Sequence, residues 1–213
     1  MVTASRPGLR ERKKQHTRDA LLYAALELFL TQGYERTTVD EIAETAEVSQ
    51  RTFFRYFAGK KEAVFFAQSV AESHFVEAVR QRPSHEAPLE ALRQAALEAW
   101  GALDETVGQI IPAELHLRTC QLIESTPTLL ATRLRRSAEL EEEIARVIAE
   151  REGLDMDTDP RPRVAVAVFC GVLRVTQRLW SCDEDPSPAS IRELTARYLD
   201  AVRPALAEKW QTG

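Results

Sequence analysis

The sequence is poor in residues that build covalent or metal frameworks. Its three cysteines, Cys120, Cys170 and Cys182, stand apart, with no CxxC spacing and no histidine pair nearby. A disulfide scaffold or structural zinc site is therefore not expected, and a reducing compartment is the simple reading. The four histidines, His16, His74, His85 and His116, show no metal-ligand spacing. Neither Gly-x-Ser-x-Gly nor a Gly-rich phosphate loop occurs, so catalysis has no visible carrier and an enzyme is not expected. The acidic cluster Glu139, Glu141, Glu142 and Glu143 reads as a solvated helix face rather than an acid–base site. No metal and no cofactor are expected. Long apolar runs are scarce too, the longest, Val164 to Leu173, being about half of a membrane span. The N-terminus is basic and polar with no apolar run behind it, which argues against a signal peptide. A soluble, cytoplasmic protein without a membrane contact is the expectation. No stretch reads as a strand, and no internal repeat or low-complexity segment appears.

What remains is a chain of 213 residues with a net charge of −5, long enough to bury a real core in one domain or two small ones. The charge is uneven. Residues 1–61 hold eleven Lys/Arg against eight Asp/Glu, whereas residues 62–213 hold seventeen against twenty-five. A basic end on an acidic body binds a polyanion through that end alone. Within the basic end, Thr38 to Phe57 carries the most information. Thr38 followed by Glu41 is a capping box, so a helix begins at Val39, with Val39, Ile42, Ala43 and Ala46 on one apolar face. Val48 reads as a buried turn residue, and Ser49 caps a second short helix that buries Phe53 and Phe57. Gln50, Arg51, Thr52, Arg55 and Tyr56 then point elsewhere, as donor-rich side chains that reach phosphates and base edges. This is a helix-turn-helix pattern, and major-groove reading is what it suits.

The flanks extend the pattern. Residues 17–64 resemble the TetR family of bacterial transcriptional regulators. The matching features are the AA-x-x-LF helix, the Gly33-Tyr34 stop, Thr37-Thr38-Val39, Ile42-Ala43, Val48-Ser49, Thr52 to Phe57 and the Lys60–Glu62 helix start. The resemblance implies an all-α protein of about nine helices. A three-helix DNA-binding domain over 1–60 would precede a helical ligand-binding and dimerisation domain over 61–213. The expected DNA-facing set is Thr37, Thr38, Ser49, Gln50, Arg51, Thr52, Phe54, Arg55, Tyr56 and Lys60, joined by Arg12, Lys13, Lys14 and Arg18 of a basic arm. The bland reading of that arm is a solvated tail; beside a helix-turn-helix, contact with phosphates or the minor groove gains weight. Two positions depart from the family pattern. Glu47 stands where glycine is usual, at a cost of about 1 kcal/mol if the turn keeps a left-handed residue. Phe54 stands where a phosphate-contacting tyrosine is common, so its contact cannot be polar.

Further along, helices are expected over Lys60–Arg82, Pro88–Leu103, Thr128 to about Arg151, Arg163–Ser181 and Pro188 to about Ala207. Residues 104–125 are expected to be irregular or to hold a short helix. In the Thr128 helix Leu130, Leu134, Leu140, Ile144 and Ile148 are expected to face inward. The Arg163 helix is apolar all round for its first ten residues and must be covered on most sides. Ala165, Ala167 and Gly171 permit close approach, which suits a place between its own core and a second subunit. In the family the last two helices of each subunit form a four-helix dimer interface. The C-terminal half also resembles regulators with an acyl-CoA-like ligand-binding domain, the mycofactocin-system regulator among them, through LRTCQLIESTPTLLATRLRR and GLDMDTDPRPRVAVAV. That implies a long acyl-CoA or similar amphiphile. Trp100, His116, Cys120, Phe169, Leu173 and Trp180 are the pocket candidates, against ordinary core packing for each. Arg118, Arg174 and Arg178 are candidates for an anionic group, against a solvent-facing helix end.

The resulting expectation is a ligand-responsive transcriptional regulator, a homodimer on a palindromic double-stranded DNA operator, released by a small-molecule effector. The alternative is a small-molecule-binding helical protein whose N-terminal module contacts a protein partner. Salt dependence separates the two, since phosphate binding is strongly salt-sensitive.

Overall fold

In the computed structural model, residues 8–101, 111–181 and 187–202 are described. They form nine helices and no strand: α1 (Leu9–Gln32), α2 (Val39–Thr45), α3 (Gln50–Tyr56), α4 (Lys60–Gln81), α5 (Pro88–Gly101), α6 (Ala113–Ser125), α7 (Pro127–Glu152), α8 (Arg161–Ser181) and α9 (Pro188–Asp200). Of the two alternatives expected over 104–125, an irregular stretch or a short helix, the structure has the short helix, α6, which starts after Pro112, while 102–110 lie outside the described residues. Pro204, expected to kink or end α9, also lies outside them.

Two packed clusters organise the chain. The first joins α1, α2 and α3 through Leu21, Leu22, Phe29, Ile42, Phe53 and Phe57, all fully or almost fully buried. Burying one such phenyl ring stabilises by about 1.5–3 kcal/mol. This cluster continues through Ala63, Val64 and Phe65 of α4 to Leu115 and Ile123 of α6 and Leu129 of α7. The second cluster gathers Phe75, Val76 and Val79 of α4 with parts of α5, α7, α8 and α9, and Phe75 stacks on Phe169 at 5.7 Å. The change of core thus falls inside α4, which belongs to both.

α7 is laced to its neighbours by charge. Arg136 donates to Ser69 Oγ and to Glu72 on α4, and its guanidinium lies 5.3 Å from the Phe65 ring centre. Glu141, Glu142 and Glu143 pair with Arg174, Arg163 and Arg80 respectively, so the acidic face expected to be solvated ties α7 to α8 and α4. These pairs keep substantial solvent exposure, and each contributes little alone. Arg151 caps the carbonyls of Arg82 and Pro83 at 2.6 and 3.0 Å, which closes the α4–α5 corner. α7 itself ends on Gly153 at φ 64°, with Leu154 N–H reaching back to Ala149 O at 2.9 Å.

One inward assignment on α7 is corrected. Leu134 is 52% exposed, not buried. The covered side of this helix runs through Leu129, Arg133, Arg136, Leu140, Ile144 and Val147. Two arginines break the apolar periodicity, so the leucines alone suggested a neighbouring face.

Candidate nucleic-acid interface

The reading module is built by caps. Thr38 Oγ1 accepts from Glu41 N–H at 3.2 Å, and Glu41 Oε2 accepts from Thr38 N–H at 2.7 Å, which completes the capping box. These hydrogen bonds hold the Glu41 carboxyl below its ordinary pKa, with the Thr38 backbone N–H the largest cause. After α2 the chain turns through Glu47 at φ 53°, the left-handed conformation that glycine would take without strain. Val48 N–H closes the turn on Ala43 O at 2.9 Å. Ser49 Oγ then accepts from Thr52 N–H at 3.2 Å and fixes the start of α3.

α3 buries Phe53 and Phe57 and turns Gln50, Arg51, Phe54 and Arg55 outward. Arg55 Nη2 donates to Tyr56 Oη at 3.4 Å, and its guanidinium lies 5.1 Å from that ring, so the two side chains lie against each other. Ser49 and Thr52 share their hydroxyls at 2.9 Å beside the cap. Thr38 and Ser49 are exposed at helix starts on the same module. Arg12, Lys13 and Lys14 are also exposed, but they stand on a helical turn of α1 rather than on an extended arm.

Three of the expected DNA contacts are engaged within the fold. Thr37 is 1% exposed and its hydroxyl donates to Gly33 O at 2.9 Å, so it is part of the fold. Lys60 directs its ammonium at the carbonyls of Tyr34, Glu35 and Thr37, at 2.8, 3.4 and 2.7 Å. An ammonium has three donors, and these carbonyls take them all. Lys60 therefore pins the loop before α2 to the start of α4. Arg18 lies over the Phe66 ring at 4.9 Å and pairs with Asp19 at 3.2 Å, which directs it at α4.

In the body the pocket candidates separate. Phe169 is fully buried in a ring stack, and the Trp180 indole donates to Ser187 O at 2.9 Å, so both are satisfied core residues. Leu173 is half-buried against the second cluster. Trp100 differs: its buried Nε1–H meets no acceptor among the described residues. On α6, His116 Nε2 and Cys120 Sγ lie 3.8 Å apart. Burial lowers the His116 pKa and pushes the Cys120 thiol up to about 11, so both are neutral at pH 7. The three arginines do not join them. Arg118, Arg174 and Arg178 are all exposed, and Arg174 pairs with Glu141. The reason is helical phase: α8 turns Val166, Phe169, Thr176 and Trp180 inward, which puts residues 174 and 178 on the outer side. A cationic lining for an anionic ligand is not what these arginines provide.

Two contacts gave no signal in the sequence. Thr128 Oγ1 donates to Glu35 Oε1 at 2.6 Å, which joins the start of α7 to the loop before α2. Arg136 grips α4, as described above. Partners 93 and 64 residues apart leave no local pattern.

Residues 21–67 match the family model for bacterial regulatory proteins of the tetR family, and residues 86–207 match the MftR C-terminal domain. The HTH-type transcriptional regulator TcmR of Streptomyces glaucescens is 44% identical over 209 residues, covering 98% of this chain and 92% of that protein. The chain belongs to the TetR family. This TetR-family chain is also 28% identical over 193 residues to MftR of Mycobacterium tuberculosis, described as a mycofactocin biosynthesis transcriptional regulator, covering 90% of this chain and 91% of MftR. Among solved structures, the SmeT–triclosan complex aligns with a TM-score of 0.61 at 16% identity over 89% of this chain and 91% of SmeT. NalD of Pseudomonas aeruginosa, the secondary repressor of the MexAB-OprM multidrug efflux pump, aligns with a TM-score of 0.56 at 20% identity, over 89% and 96% of the two chains. At such identities the structural likeness speaks to the fold. The family is one of transcriptional regulators, and this chain is a DNA-binding regulator rather than an enzyme.

Proposed function

We propose that the protein is a cytoplasmic, ligand-responsive repressor that binds a palindromic operator as a homodimer. The observation that carries the reading is the outward face of α3, where Gln50, Arg51 and Arg55 are exposed on a helix held by the Ser49 cap and a phenylalanine core. Two such helices related by a two-fold axis meet two half-sites about 34–36 Å apart, and the operator then mirrors the protein's symmetry.

The second copy is supported by α8. Val164, Val175 and Leu179 are 58, 46 and 44% exposed, with Ala167 beside them on the same helix. A Cβ added at Gly171 would meet nothing among the described residues closer than Arg174 Nη2 at 4.0 Å. Packing among the described residues therefore does not require glycine there, whereas a helix of another copy crossing close by would favour it. α9 adds a more polar flank through Arg197 and half-buried Tyr198. By length and composition α8 is apolar enough to cross a bilayer, but it packs against α5, α7 and α9 and carries Arg174 and Arg178 on its outer side. A bundle helix with one face left for a subunit accounts for both facts.

The effector site is supported by the Trp100 indole donor, which meets no acceptor among the described residues and lies beside a mostly apolar core, as small-molecule sites combine apolar walls with a few polar groups. Ligand would favour a dimer geometry in which the two α3 helices no longer match the half-sites. An acyl-CoA-like effector has less support than the sequence suggested, because its phosphates need cations that Arg118, Arg174 and Arg178 do not bring inside.

The test is selection of binding sites by the full chain from a random duplex pool, followed by titration at several salt concentrations. A palindromic site, and affinity falling steeply with salt, are expected. Arg51→Ala should cost about 1–3 kcal/mol per lost base contact on that site while the protein stays folded. Failure to enrich any sequence would reject the reading.

A further inference from the structure

The outward face of α3 is not uniformly polar. At 3.6 residues per turn Gln50, Phe54, Arg51 and Arg55 follow one another round one side, with Phe53 about 60° beyond Gln50 on the buried side; Phe57 is the extended C-cap just after the helix. Phe54 therefore sits inside the donor-rich arc rather than at its edge. Its side chain is 52% exposed, whereas Phe53 and Phe57 are 0 and 1% exposed. Its ring stands edge-on to Phe53, with centroids 5.5 Å apart and planes at 89°. That contact limits where the ring can swing and presents it outward beside Arg51.

A phenyl ring cannot hydrogen-bond a phosphate or a base edge, so it contributes nothing to polar recognition. What it offers is apolar surface between Gln50 and Arg51 within a groove-facing arc. In the major groove the apolar feature that distinguishes one base pair from another is the C5-methyl group of thymine. We propose that Phe54 is a specificity-determining residue that reads a thymine methyl in each operator half-site. The neighbouring guanidiniums and the Gln50 amide supply the hydrogen bonds to flanking bases or phosphates. The assignment rests on α3 being the element that enters the groove.

Deoxyuridine removes the methyl group and leaves the pairing face of the base unchanged. The experiment uses the full chain and the duplex it selects from a random pool, with deoxyuridine placed at each thymine in turn. One thymine per half-site should respond. Loss of one buried methyl group corresponds to about fourfold in affinity, and loss at both half-sites to about fifteenfold. Phe54→Ala should bind the thymine and deoxyuridine duplexes equally, whereas Phe54→Leu should keep part of the discrimination. Since the ring is half-exposed, neither change removes core, and the decisive comparison needs only the unaltered protein. Equal affinity of that protein for every deoxyuridine duplex would overturn the proposal and leave Phe54 against deoxyribose. Discrimination retained in Phe54→Ala would overturn it too. If no duplex is enriched, the reading of α3 itself falls.

Discussion

α3 and α8 both leave apolar side chains in solvent, in different company. On α3 one phenyl ring stands among Gln50, Arg51 and Arg55, and the helix is only seven residues long. On α8 Val164, Ala167, Val175 and Leu179 form a long stripe with Arg174 and Arg178 along it, on a helix of 21 residues. A hydrated polyanion suits the first face, because donors dominate and the apolar part is local. A second copy suits the second, because a continuous apolar stripe recovers free energy only when it is covered along its length. The largest expected effect tests this difference directly. Val175→Arg and Leu179→Arg should yield folded monomers by sedimentation, since each adds charge to a surface that is exposed within one chain but would be buried in the proposed dimer. Operator affinity should then fall by about 10²–10⁴, the usual gain from linking two binding modules. Leu134→Arg, at an equally exposed leucine on α7, should leave the dimer intact. Folded dimers in all three variants would place the subunit contact elsewhere.

How much of this was legible depends on the range of the interaction. The capping box of Thr38 and Glu41, the Ser49 cap and the Phe53–Phe57 face are separated by three or four residues, and the structure has each of them. The turn at Glu47 was legible only through the family resemblance, which has glycine there, and the structure keeps the left-handed residue. Arg136, Thr128 and Lys60 were misread or missed because their partners lie 23 to 93 residues away. The arginines of α8 looked alike in the sequence to residues facing a ligand. Only packing against α5, α7 and α9 decides which side of that helix is inside.

An intermediate effect contrasts the interior of the body with the reading module. His116 has its pKa lowered by burial, so the folded protein binds a proton there less readily than the unfolded chain. Its contribution to stability is therefore complete above the ordinary value of 6.5 and is lost as pH falls from there toward the lowered folded value. Denaturant melts followed by tryptophan fluorescence should show the body weakening on mild acidification. His116→Gln should flatten that dependence, while Glu41→Gln in the reading module should leave it unchanged over the same range. A parallel loss of stability in wild type and His116→Gln would assign the acid sensitivity to another group.

The smallest effect concerns the turn between α2 and α3. Glu47 holds φ at 53° although its side chain makes the left-handed region unfavourable, by about 1 kcal/mol relative to glycine. Its side chain is exposed, so replacing it removes no core. Glu47→Gly should therefore relieve strain in the folded state but also loosen the unfolded chain, and the two effects oppose each other. Strain relief should prevail because the native conformation is one that only glycine adopts freely, giving a net gain of at most about 1 kcal/mol. Removing a carboxylate next to the reading helix should also raise affinity for DNA slightly at low salt, an effect that vanishes as screening increases. Glu47→Ala separates the contributions: it loses the charge but keeps the strain. Equal melting of Glu47→Gly and Glu47→Ala would mean that the turn relaxes to a different conformation and that the left-handed residue is not a fixed part of the reading module.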